Sequence, residues 1–448
     1  MHFSFSSTSR VWMGLLPLLL SWPSAQAEDL LEVYQLALTN DPRYRAAEST
    51  YLADKQKLQQ ARAVLRPTIN ATADRSRTDL ETETDAGIVS RPAGDADINS
   101  TVFELTLTQP LYDRALFAGL RQARAEVRRA DAQFAAARQD LIIRTAEGYF
   151  GLLATLDNVE LAGAEKAANA RQLEVAEGRL SVGLATITDV HDARARFQLA
   201  RAQEIEAINE VRDRRQALRE TTGRVIKDIA TVDRKAPLVE PDPPDLGKWV
   251  ETALAQDPAL IAADETARIA REEVERQRAG HWPKLDLVGS HSDTDDDESI
   301  SGPGVETERT EIGLQLTVPI YQGGLITSLT KEAAHRYSAT RQDLEAQRRL
   351  TERTARTAFL GVTSGVTRIE ALRQAVIASE SALEAKTEGF EAGINTNLDV
   401  LDAQRDLFRA KRDLLEASYT YILNLLRLKR AAGIVSQNDL ALINRWLR

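Results

Sequence analysis

The spacing of apolar positions changes period along this chain, and the same succession of periods occurs twice. Asp41-Pro42 and Asp257-Pro258 read as helix starts, with Asp as N-cap and Pro in the first turn, and the helices they open run to Pro67 and Pro283. After each proline the period drops to two. Ile69, Ala71 and Ala73 alternate with Thr68, Asn70 and Thr72, and Phe103, Leu105 and Leu107 with Glu104, Thr106 and Thr108. In the second succession Leu285, Leu287 and Gly289 alternate with Asp286, Val288 and Ser290, and Ile312, Leu314, Leu316 and Val318 with Glu311, Gly313, Gln315 and Thr317. This spacing predicts four short strands, each with one apolar and one polar face. Polar loops at 79–98 and 292–310 join them in pairs. A proline-free helix follows from about Leu116 to Leu180, with Leu120, Ala123, Val127, Ala130, Phe134, Ala137 and Leu141 at coiled-coil spacing. Gly183 ends it, and a shorter helix runs from about Thr188 to Thr222. The second succession has its long helix over 325–388 and its shorter one over 398–432, with Leu407, Ala410, Leu414, Ala417, Tyr421, Asn424 and Leu428 as a seam.

The two successions align residue by residue. ALTNDPRYRAA (37–47) matches ALAQDPALIAA (253–263), LTLTQPLY (105–112) matches LQLTVPIY (314–321), and Gly183, Thr186, Asp189, Val190 and Asp192 match Gly393, Thr396, Asp399, Val400 and Asp402. Ordered agreement of this kind marks an internal duplication. It predicts a first repeat over 28–234, a second over 247–433 and a closing segment over 434–448. The four prolines of KAPLVEPDPPDL (235–246) read as an extended linker. At ~1.5 Å per residue each long helix spans about 100 Å, and the two shorter helices of a repeat, end to end, nearly match it.

Arg10, an apolar run from Val11 to Leu20 and the small-x-small closure Ala25-Gln26-Ala27 read as a secretory signal (1–27), so the mature chain begins at Glu28. The run falls short of the roughly 20 residues of a membrane span. The absence of Cys at the cleavage site excludes a lipid-anchored lipoprotein. No later segment reaches 18 consecutive apolar residues, so any contact with a membrane is through strands.

Composition narrows the function further. With 57 Lys+Arg against 67 Asp+Glu, a net charge of -10 and no large basic block, nucleic acid is not expected as a partner. The lack of cysteine removes disulfides, thiolate catalysis and the common zinc sites. Five scattered histidines, no HExxH, no Gly-rich phosphate loop and no GxSxG leave no enzyme motif, and neither a cofactor nor a metal is implied. Strands of 8–10 residues with one apolar face fit an outer-membrane barrel, but four strands cannot close one, so several chains must contribute. A soluble periplasmic coiled-coil scaffold, its strands packed in an ordinary sheet, is the competing reading.

RLSVGLATITDVHDARA (179–195), GFEAGINTNLDVLDAQRDL (389–407), the twin Pro-bounded strands and the ending QNDLALINRWLR together resemble the TolC family of outer-membrane efflux proteins over nearly all of the mature chain. The resemblance implies a mainly α fold with a β-barrel portion: a homotrimer with a 12-stranded barrel in outer-membrane lipid and a helical tunnel through the periplasm. It implies an exit duct for efflux or type I secretion, working with a periplasmic adaptor protein and an inner-membrane ABC or RND-type transporter.

Asp399 and Asp402 share a helix face, and in a trimer they make two acidic rings that match the family's aspartates at the periplasmic entrance. Capping of the helix N-terminus is the simpler role and is compatible with it. Thr188 and Asp189 resemble the family's partners for closing the entrance. Where some members carry an Arg and a Tyr reaching that pair, this chain has Asn395 and Phe390, which puts the closing lock in doubt. Val182, Gly183 and Leu184, with Ala392, Gly393 and Ile394, mark the hairpin tips that dock the adaptor in the family, although Gly in a plain turn also explains them. Tyr112, Trp282 and Tyr321 flank the strands as interfacial aromatics or as core packing. The run DTDDDE (293–298) lacks the glycine of a calcium loop and reads as a solvated extracellular loop.

Overall fold

The computed structural model describes residues 27–81, 95–233, 237–299 and 302–447; the expected signal segment lies outside them, apart from Ala27. α1 (Leu30–Asn40) and α2 (Pro42–Ala63) lead into β1 (Thr68–Glu81) and β2 (Asp95–Tyr112), and then into α3 (Arg114–Ser181) and α4 (Ile187–Thr222). The order repeats with α5 (Leu246–Gln256), α6 (Pro258–Arg278), β3 (Lys284–Ser299), β4 (Gly302–Thr317), α7 (Leu325–Glu391) and α8 (Asn397–Ala431), and α9 (Gln437–Asn444) closes the chain. No helix among the described residues is long and apolar enough to cross a membrane.

α2 and α6 stop at Ala63 and Arg278 rather than at Pro67 and Pro283. Val64 and Ala279 still have helical backbone, and after Arg278 a short 3-10 turn runs to His281, so the last turn tightens before the extended residue that each proline demands ahead of it, as at Trp282. α1 and α5 were not expected. Each is a separate short helix whose C-cap, Asp41 or Asp257, is also the N-cap of the next one. The signal for α1 was present as Asp29 and Glu32, which form a capping box.

The four strands form one antiparallel sheet in the order β1-β2-β3-β4, leaving β1 and β4 as edges. Ala71, Leu105 and His291 lie side by side across it, as do Leu107, Gly289 and Ile312. Ile69, Phe103, Leu105, Ile312, Leu314 and Leu316 are all exposed on that face. The strands are longer than their amphipathic stretches. β3 reaches Ser299 and β4 begins at Gly302, so DTDDDE is not a loop but a strand, with Asp293 opposite Glu308 and Asp295 opposite Glu306. The ladder is held by backbone bonds that ignore side-chain charge, so pairing continues past the point where alternation fails.

α3 is the spine. It packs along α4, α6, α2 and α8, with α2 beside its sheet-proximal part and α4 beside its far part. The short helices meet end to end, where the Asn40 amide donates to the Thr222 carbonyl (3.0 Å). A belt of apolar residues gathers at this level: Tyr34 of α1, Tyr149 and Phe150 of α3, Trp249 of α5, Tyr421 of α8 and Ile443 of α9. The connecting segment is strapped to it, with the Tyr149 hydroxyl donating to Ala230 O (2.8 Å) and the Tyr421 hydroxyl to Val239 O (2.7 Å). Phe134, from the expected seam, stacks on Tyr51 at 4.7 Å between centroids.

Asp41 is 1% exposed, caps α2 through the Tyr44 N–H (2.7 Å) and receives Arg144 at 2.6 and 3.3 Å. Asp41→Ala is expected to lose about 2–4 kcal/mol, by removing a cap and stranding a part-buried guanidinium. Glu332→Ala, which breaks only an exposed pair with Arg336, is expected to lose less than about 0.5 kcal/mol. Denaturant unfolding in detergent compares the two.

Candidate functional site

The end of the molecule far from the sheet is built from two equivalent hairpin turns. After α3, Gly183 takes φ +77°, which closes the helix with Gly183 N–H donating to Leu180 O (3.0 Å) and Leu184 N–H to Arg179 O (2.8 Å). Gly393 repeats this at φ +77°, with Ile394 N–H donating to Gly389 O (2.7 Å). The next helix of each hairpin then starts from a capping box, Thr186 with Asp189 and Thr396 with Asp399. Both turns present bare apolar side chains: Val182 is 67% exposed, Leu184 69% and Ile394 82%, and Ala392 is also exposed.

Asp399 is held by its own helix. Its Oδ2 accepts from the Thr396 hydroxyl (2.6 Å) and backbone N–H (2.9 Å), and Lys386 reaches its Oδ1 at 3.4 Å. The Thr396 hydroxyl bond is the main cause holding this carboxyl below its ordinary pKa, with the Thr396 N–H and Lys386 adding to it. The N-cap itself is Thr396, and Asp399 is the third residue of the box. Asp402 is also paired, to Arg196 of α4 at 2.8 Å and to Arg405 at 3.1 Å. The two carboxylates do share a helix end, but neither stands bare.

Asn395 and Phe390 do not reach Thr188 and Asp189. The Asn395 amide turns back to Lys386 O (3.3 Å), and the Phe390 ring lies under the Arg179 guanidinium at 4.3 Å. Thr188 is exposed on the first turn of α4. The contact to Asp189 comes instead from Asn397, 4% exposed, whose amide donates to Asp189 O (3.4 Å) while its carbonyl oxygen accepts from Gln172. Asn397, Gln172, Arg196 and Arg179 were missed in the sequence. Their pairings cross between the repeats, and no local pattern carries that information. Beneath them Ala176, Val190, Ala193 and Leu401 close a small apolar cluster joining α3, α4 and α8.

Higher up, α3 and α8 are joined by a ladder of polar contacts with the acid always on α3. Arg412 meets Glu165 (3.1 Å), Tyr419 meets Asp157, Arg427 meets Glu147 (2.7 Å) and Arg430 meets Asp140 (3.2 Å). Burial pushes the Glu165 carboxyl up, and Arg412 pulls it back only in part. At the opposite end of the helices Tyr112 ends β2, Trp282 precedes β3 with Arg114 over its ring at 4.4 Å, and Tyr321, 87% exposed, follows β4. Among the described residues no group of three or more His, Asp or Glu side chains is placed to hold a metal.

An apolar-faced sheet with two free edges, raised on two long helices of 68 and 67 residues, is the build of an outer-membrane channel protomer rather than of an enzyme or a soluble scaffold. The chain belongs to the outer membrane efflux protein family, whose model matches residues 33–224 and 249–434. It is 37% identical to the outer membrane protein TolC of Vibrio cholerae, over 94% of each chain. It is 33% identical to the alkaline protease secretion protein AprF of Pseudomonas aeruginosa, over 96% of this chain and 90% of that one. Among solved structures, the Campylobacter jejuni CmeC outer membrane channel matches the fold with a TM-score of 0.79 at 18% identity, covering 96% and 94% of the two chains. The family consists of channel proteins of the outer membrane that extend into the periplasm, and that is where this chain resides.

Asp399 has a folded pKa below its unfolded one, so its contribution is fully present above the ordinary carboxylate value of about 3.9 and is lost as pH falls through the lowered folded value. Asp399→Asn is therefore expected to lower the unfolding midpoint at neutral pH and to leave it unchanged in strong acid. Parallel melts across that range read the difference.

Proposed function

We propose that the chain is the exit duct of an export system, carrying cargo handed over by an inner-membrane transporter through the periplasm and the outer membrane without chemistry of its own. The observation that carries this reading is the open four-stranded sheet at one end of helices about 100 Å long, in a chain of the outer membrane efflux protein family. Hydrocarbon offers no hydrogen-bond partner to the bare edges of β1 and β4, so copies of the chain must pair them. Three copies supply 12 strands, within the range of outer-membrane barrels, and make a homotrimer. Tyr112, Trp282 and Tyr321 then lie at the inner interface of the lipid.

The tip residues Val182, Gly183, Leu184, Ala392, Gly393 and Ile394 are the docking face for a periplasmic adaptor. The exposure of Val182, Leu184 and Ile394 and the open space beside Gly183 and Gly393 support this role, since an α-helical partner can approach them closely. Asp399, Asp402, Thr188, Asp189, Asn395 and Phe390 surround the entrance to the duct, with Asn397 and Gln172 as the added contacts. The adaptor's inner-membrane partner is an ABC or RND-type transporter. The secretion names of AprF and of the proteases secretion protein PrtF of Dickeya chrysanthemi, 30% identical, favour a protein cargo, while the name of the outer membrane efflux protein BepC of Brucella suis, 23% identical, favours efflux.

Fractionation and cross-linking test the assembly. The protein is expected in the outer membrane, extractable only with detergent, with cross-linked species up to three chains and none larger. Deleting the gene is expected to abolish export of a secreted protein or to raise drug sensitivity. A protein soluble without detergent, with neither phenotype on deletion, overturns the duct.

A further inference from the structure

We infer that the charges just beyond the apolar band of the sheet, Arg75 and Arg77 on β1 against Glu306 and Glu308 on β4, are the contact by which one copy of the chain recognises the next; the inference rests on the duct reading above. The ladders place these side chains on one face. Ala71, Leu105, His291 and Thr310 form one row across the sheet, Ala73, Phe103, Asp293 and Glu308 the next, and Arg75, Thr101, Asp295 and Glu306 the one beyond. Alternate residues of a strand share a face. Arg75 and Arg77 therefore lie on the face of Ile69, Ala71 and Ala73, and Glu306 and Glu308 on that of Ile312, Leu314 and Leu316. The apolar band gives way to charge at nearly the same level on both edges, to Arg first on β1 and to Glu on β4.

Within one chain these charges are poorly matched. Asp293 stands directly opposite Glu308 and Asp295 opposite Glu306, and like charges so placed weaken a ladder. Among the described residues no Lys or Arg pairs with any of the four, and His291 comes only to 4.0 Å from Glu308. Arg75 is exposed and makes no ion pair among the described residues, while Arg77 reaches Asp97 (2.6 Å) and Asp79 (3.3 Å) and stays 62% exposed. β2 and β3 separate the basic edge from the acidic one, so a single chain cannot bring them together. A second copy can, since β1 and β4 run in opposite directions and pair antiparallel across a seam. One stagger keeps the apolar band continuous by setting Ile69 against Leu314 and Ala71 against Ile312; Arg75 then faces Glu308 and Arg77 faces Glu306. The next sets Ile69 against Leu316 and Ala71 against Leu314; Arg77 then faces Glu308, with Arg75 diagonal to it and within reach of a long side chain. Asp79 falls opposite Glu306 in this second stagger, but it already holds Arg77. Two like edges would instead set Arg against Arg or Glu against Glu. The charges favour the head-to-tail seam from which a ring is built and penalise β1–β1 and β4–β4 pairing.

The test is the ratio of trimer to single chain in full-length protein extracted from the outer membrane in detergent, read by native mass measurement. Arg75→Glu and Glu308→Arg are each expected to lower that ratio by about fivefold per seam, the upper scale of an exposed ion pair, and by about a hundredfold over three seams. Both changes in one chain are expected to restore the wild-type ratio. Only a seam between copies gives that rescue, because the two positions lie at opposite edges of one chain's sheet. Arg75→Gln and Glu308→Gln serve if a reversal does not assemble: together they are expected to lose no more than either loses alone, and fully additive losses contradict the inference. Wild-type trimers that fall apart when divalent cations are chelated, with no rescue by the exchange, assign the acidic rows to a cation and overturn it. Trimers unchanged by both reversals overturn the inference alone. Absence of a trimer from the wild type overturns the assembly of the duct and this inference with it.

Discussion

An unpaired strand edge cannot rest in hydrocarbon, and the architecture of this chain follows from that constraint. Each N–H and C=O without a partner costs several kcal/mol in lipid, so a sheet that enters a membrane must close on itself. This chain contributes four strands and leaves β1 and β4 open. It is therefore incomplete alone, and the pairing of copies is a condition of its placement in the outer membrane. The duplication serves the same end: each repeat brings one strand pair at one end and one helical hairpin at the other, so any closure of the sheet also arranges the hairpins around a common axis.

The helices have the opposite problem. They are long, rich in Ala and charge, and too polar to enter lipid, so their stability comes from packing on one another in water. Small residues such as Ala118, Ala123, Ala130, Ala146 and Ala176 let the neighbours of α3 approach closely. Where two short helices abut, the packing would leave an interrupted seam. The belt of Tyr34, Tyr149, Phe150, Trp249 and Tyr421 fills that level, and the terminal helices α1 and α9 complete it, with Asn444 linking Leu30 N–H and Asp29. The bundle is best fixed at its waist and at the sheet. Away from the waist, toward the tips, the core thins to one small cluster, and most of the ties that remain are polar. Such ties are weak one by one and break without loss of fold.

Much of the architecture was legible in the sequence. Helix periods, the two-residue alternation, Gly183 and Gly393 and the Asp-Pro starts are local signals, because a backbone conformation is set by neighbours a few residues away. They placed the long helices within a few residues of their ends and found all four strands. The extent of the strands was not legible. Asp293, Asp295 and Glu308 look like loop residues, and only the partner strand across the ladder keeps them extended. The fate of the carboxylates was half legible. Thr396 and Asp399 lie three residues apart, and their box can be read from that spacing. Asp402 and Arg196 are 206 residues apart, and nothing near either one announces the other. The sequence by itself determined the long helices, the four strands and their recurrence, because these depend on short-range periodicity. Only the tertiary structure decided which charges meet between the repeats, because that depends on the rotation and register of one helix against another.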